Sequence, residues 1–60
     1  MSDKIALAQD YLIAHMGRDR AAVEALTRGQ VMPALAEALH VSERAVTQVL
    51  YDRYHPQYFF

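Results

Sequence analysis

The chain has no cysteine and no tryptophan, only two glycines and two prolines, and no surplus of positive charge. Without cysteine there is neither a disulfide to brace the fold nor a thiolate to hold a metal. With Gly17, Gly29, Pro33 and Pro56 as the only strong breakers, long stretches are free to be helical. No apolar run is long enough to span a bilayer. The early apolar stretch follows Asp3 and Lys4 and is broken by Gln9 and Asp10, unlike a secretory leader. Cytoplasmic residence is the expectation that follows. Six Lys and Arg oppose seven Asp and Glu, leaving a net charge of −1. A domain that grips phosphates draws most of its affinity from a basic surface. In residues 31–60, Arg44 and Arg53 face Glu37, Glu43 and Asp52, so a single copy is expected to bind DNA weakly and with strong salt dependence.

Catalytic arrangements are also missing. His15, His40 and His55 share no close-spaced ligand motif of the H-E-x-x-H kind. There is no Ser/His/Asp order, no glycine-rich phosphate loop and no paired carboxylates, and Ser2 and Ser42 are both placed to cap helices. Neither an enzyme, nor a metal site, nor a cofactor is expected.

What is present is apolar and periodic. Hydrophobic residues make up 53% of 60 residues, which is one domain, 1–60, near the lower limit for independent folding. A chain of this size buries only about 60% of the surface its unfolded form exposes. It must compensate by regular helix packing or by self-association. Helical spacing recurs throughout and no strand-like alternation competes, so the expected fold is all-α, a small bundle of about four short helices.

Ser2 can cap the first helix, with Asp3 near the positive end of its dipole, and Gly17 can stop it after Met16. Ile5, Ala8, Leu12 and Met16 form one stripe, while Leu7, Tyr11 and Ala14 form a second. A second stripe implies a second neighbour, either a sister subunit or the chain's own tail. Asp19 can cap a second helix running through Arg28, with Ala22, Val23 and Leu26 inward and Gly29 ending it. Gln30 and Val31 then read as a link, and Gly29 and Pro33 argue for a break. The last helix runs from Glu43 to about Tyr54 and stops at His55-Pro56. The tail ends in Tyr58, Phe59 and Phe60, which left in water would form a sticky apolar patch. They are expected to pack on the first helix, in cis or across a dimer.

Residues 32–50, MPALAEALHVSERAVTQVL, carry the most specific pattern. Met32, Leu35, Ala36 and Leu39 make one apolar stripe, with Pro33 in the first turn where a missing N–H costs nothing. His40 and Val41 break it, Ser42 caps a new helix, and Ala45, Val46, Val49 and Leu50 restart the stripe. Two short helices around a tight turn make this stretch resemble the helix-turn-helix of bacterial and phage transcription regulators. Ala36 is small where the helices would cross, Leu39 and Val41 flank the turn and would plug the angle, and Val46 and Val49 would point back into the core. The family usually has glycine where this chain has His40, because the turn takes a left-handed backbone. Histidine tolerates that conformation better than most residues with a Cβ, at some cost.

The resemblance implies that the last helix, about 43–54, enters the major groove of double-stranded DNA. Ser42, Glu43, Arg44, Thr47, Gln48 and Tyr51 would then face bases and nearby phosphates. Spacing alone puts Arg44, Thr47, Gln48, Tyr51 and His55 on one face, away from Val46, Val49 and Leu50. All five can hydrogen-bond and none is a carboxylate, whereas an ordinary solvated face mixes Lys with Glu. Arg pairs well with guanine, Gln with adenine, and Thr offers a hydroxyl or a methyl. Glu43 repels phosphate unless it accepts from a cytosine amino group. Arg28 and Arg53 are candidates for register-setting backbone contacts, although taken singly each reads first as a surface arginine near a helix end, where the dipole favours it. The implied function is a small homodimeric regulator, a repressor by size, with no cofactor. The rival is a helical protein–protein module of the same fold, supported by the missing basic excess, the doubly apolar first helix and the aromatic tail.

Overall fold

The computed structural model describes residues 3–54. They form four helices: α1 (Lys4–His15), α2 (Arg20–Glu24), α3 (Arg28–Leu39) and α4 (Glu43–Tyr54), with no strand among the described residues. The expected all-α architecture of four short helices is what is observed. No helix among the described residues is long and apolar enough to cross a membrane.

Each helix starts on a side-chain cap or just after one. The Ile5 N–H donates to Asp3 Oδ1 at 2.9 Å, so Asp3 is the N-cap of α1. That displaces the expected role of Ser2, which lies outside the described residues. Gly17, at φ +66°, takes the left-handed conformation that ends the first helical segment. Asp19 caps α2 as expected, accepting from the Ala22 N–H at 3.1 Å.

Two expectations about the middle of the chain are corrected. The second helix ends at Glu24 rather than Arg28, and α3 runs unbroken through Gly29 and Pro33. The cause is local. Gln30 Oε1 accepts from the Thr27 N–H at 3.0 Å, the backward reach of a capping box, and so starts α3 at Arg28. Gly29 and Pro33 sit one turn apart and both are exposed. The carbonyl that Pro33 cannot serve is therefore on the wet side of the helix, where water can satisfy it.

Eight side chains form the core: Ala8 and Leu12 of α1, Val23 of α2, Val31, Leu35 and Ala36 of α3, and Val46 and Leu50 of α4. Val31, expected in a link, is completely buried. Burying each Leu or Val contributes about 1.5–3 kcal/mol, which makes these few residues decisive for so small a domain. α1 touches all three other helices, and α3 packs on α4. Ile5, Met16, Met32 and Leu39 are half-buried against the core, in line with their stripes. Leu7 and Tyr11 are also half-buried against it, and Ala14 is exposed. The proposed packing partners Tyr58, Phe59 and Phe60 lie outside the described residues. Val41 does not plug the interhelical angle: it is 39% exposed. Val49 is only half-buried, leaving Val46 and Leu50 to anchor α4.

Candidate nucleic-acid interface

The corner between α3 and α4 is made by backbone hydrogen bonds. His40 sits at φ 58°, ψ 41°, fully left-handed, a conformation that favours glycine. Its N–H donates to the Glu37 carbonyl at 3.2 Å, and the Val41 N–H donates to the Ala36 carbonyl at 3.0 Å. This pair of bonds is a Schellman closure, which satisfies the carbonyls left over at the helix end. Ser42 Oγ then accepts from the Ala45 N–H at 3.2 Å and opens α4. Glu43, in the first turn, lies at the positive end of the helix dipole.

The inner side of α4 is set by Val46, Leu50 and the half-buried Tyr54, which recur every four residues. Arg44 and Gln48 fall two positions out of phase with them and are exposed on the opposite side. Among the described residues Arg44 has no ion-pair or hydrogen-bond partner. Thr47 and Tyr51 are half-buried at the flank, so they do not stand as clear of the protein as Arg44 and Gln48 do. Ser42 and Glu43 are exposed at the corner.

The outward face also holds a carboxylate that sequence spacing had not assigned to it. Asp52 is exposed one turn beyond Gln48, and its Oδ1 accepts from Gln48 Nε2 at 3.0 Å. The signal was available, since residues four apart on a helix are neighbours.

The two outlying arginines are engaged elsewhere. Arg28 pairs with Asp3 at 2.7 Å, bracing the start of α3 against the start of α1. The guanidinium and the Ile5 N–H together hold the Asp3 carboxyl below the usual carboxylate range. Arg53 Nε donates to His15 Nε2 at 3.1 Å, and the His15 ring lies 4.8 Å from that of Tyr11. Beside it, the Tyr54 hydroxyl donates to Asp10 Oδ2 at 2.9 Å. Burial first, and then the bond to Asp10, push the Tyr54 phenol up to about 12. These contacts tie the C-terminal end of α4 to α1 and fix the helix that carries Arg44 and Gln48.

Elsewhere an open cleft of about 570 Å³ lies between α1, α2 and α3, with Leu12, Val23 and Leu26 inside and Arg18, Asp19 and Glu37 around them. None of the expected site residues lines it. No cluster of three or more metal-binding side chains occurs among the described residues. His55, the last position of the expected outward face, lies outside them. Compared with protein-family models, curated proteins and solved structures, the chain matches none.

Proposed function

We propose that the protein binds double-stranded DNA sequence-specifically, inserting α4 into the major groove, and acts as a small homodimeric transcriptional regulator of the repressor type. One observation carries this reading. A left-handed corner at His40 presents α4 with Arg44 and Gln48 exposed on the side opposite its buried residues. A twelve-residue helix is about 18 Å long. It fits a major groove about 12 Å wide, where guanidinium and amide groups can read base edges. Two copies would present their helices to half-sites about 34 Å apart, one DNA turn. Dimerisation would also offset the small basic content, since each subunit adds its own phosphate contacts. Such a function places the protein in the cytoplasm, with the DNA.

The test is titration with random-sequence duplex at two salt concentrations, followed by the same titration of Arg44→Ala. Binding at low salt that falls steeply as salt rises is expected, and the substitution is expected to cost about 1–3 kcal/mol on a selected site. Absence of binding at low salt overturns the reading.

One feature favours a second reading, a helical protein–protein module. Val41 is 39% exposed next to the start of α4, where half-buried Ala45 and Val49 share one side of the helix with the exposed Asp52. A protein partner would cover that apolar side without the phosphate repulsion that Asp52 brings. The same low-salt titration separates the two.

A further inference from the structure

We infer that Asp52 is a positioning residue that fixes the side-chain amide of Gln48 in one orientation, so that α4 selects adenine at one base position. The inference rests on the reading of α4 as the helix that enters DNA. A free glutamine amide can turn over, exchanging its oxygen and nitrogen, and so can offer either edge to a base. Here Gln48 Nε2 donates to Asp52 Oδ1 at 3.0 Å. An ionised carboxylate only accepts, so the flipped amide would set two oxygens against each other. The nitrogen is therefore held towards Asp52, and Oε1 and the second N–H remain for a partner outside the protein. Adenine presents a donor at N6 and an acceptor at N7 in the major groove, which complements that acceptor–donor pair. Guanine presents two acceptors there, O6 and N7, so a fixed Oε1 opposes one of them.

The position on the helix suits this role. Gln48 and Asp52 are both exposed, one turn apart on the side opposite Val46 and Leu50, so the bond does not compete with core packing. The carboxylate itself opposes phosphate attraction. Asp52 would thus lower affinity for all DNA while sharpening the choice of base.

The experiment is selection from a randomised duplex pool with the full chain and with Gln48→Ala, Asp52→Ala and Asp52→Asn, each first checked for its helical circular-dichroism spectrum. The full chain is expected to enrich adenine at a fixed position, and Gln48→Ala to lose it. Asp52→Ala is expected to relax that preference about tenfold, while binding random duplex more tightly than the full chain. Asp52→Asn, whose amide can donate as well as accept, tolerates either orientation of Gln48 and is expected to relax the preference as Asp52→Ala does. If Asp52→Ala or Asp52→Asn keeps the full adenine preference, the positioning role is wrong while DNA binding stands. If the full chain enriches no sequence, the groove-reading function fails and takes this inference with it.

Discussion

The two ends of α4 are held by different physics. At its beginning, the left-handed His40, the paired bonds to Ala36 and Glu37, and the Ser42 cap all link residues within five positions of one another. At its end, Tyr54 reaches back 44 residues to Asp10 and Arg53 reaches back 38 to His15. The first end sets the direction in which the helix leaves α3. The second sets where it rests against α1. Local bonds form at small loop-closure cost, whereas the distant ones require the chain already to be folded. The exposed outer face of α4 depends on both.

Substitutions can break this contrast in graded steps. The largest effect is expected from Leu50→Ala, which empties a fully buried site between the two ends. A cost of about 2–5 kcal/mol is expected, enough to abolish the cooperative thermal transition of so small a domain. A sharp transition retained at the original temperature would mean that the core is not where α4 is anchored. Ser42→Ala removes the cap alone and is expected to cost about 1 kcal/mol in urea denaturation. An unchanged midpoint would show that the corner holds without it.

His40→Gly acts in the opposite direction. Glycine takes the left-handed conformation freely but has more freedom to lose, so a net gain of about 0.5–1 kcal/mol is expected, read as a higher melting temperature. Loss of stability would mean that the imidazole makes a contribution beyond its backbone. Tyr54→Phe should cost the least, about 0.5 kcal/mol, because the bond to Asp10 is near solvent. Its signature is alkaline. The Tyr54 phenol is raised from 10 to about 12, so it supports the fold below pH 10 and loses that support as pH rises towards 12. The substitution is expected to remove that part of the high-pH decline, measured by denaturation midpoints across the window. Ser42→Ala and Tyr54→Phe lie about 18 Å apart along the helix and should add without coupling.

The same contrast explains what could be read in advance. Asp19, Ser42, Gly17 and the left-handed His40 act within a turn of themselves, and each was legible from its neighbours. The start of α3 was equally local but misread, because Gly29 and Pro33 looked like stronger signals than the Thr27-x-x-Gln30 cap that overrode them. The pairing of Gln48 with Asp52 needed only four-residue spacing. The ties from α4 to Asp10 and His15 could not be seen, since nothing in either helix alone names its partner across so long a separation. Val41 was misjudged for a related reason. Whether a valine beside a turn is covered depends on the angle between helices, and residue spacing does not fix that angle.

Pro33 carries one further consequence for α3. Having no amide hydrogen, it interrupts the ladder of exchangeable protons just past the first turn. The segment from Arg28 to Gln30 is consequently secured by its cap and by the Arg28–Asp3 bridge more than by the helix that follows. In deuterated water its amides should exchange early, at a pace set by unwinding of that one turn, while those of Leu35 and Ala36 wait for the whole domain to open.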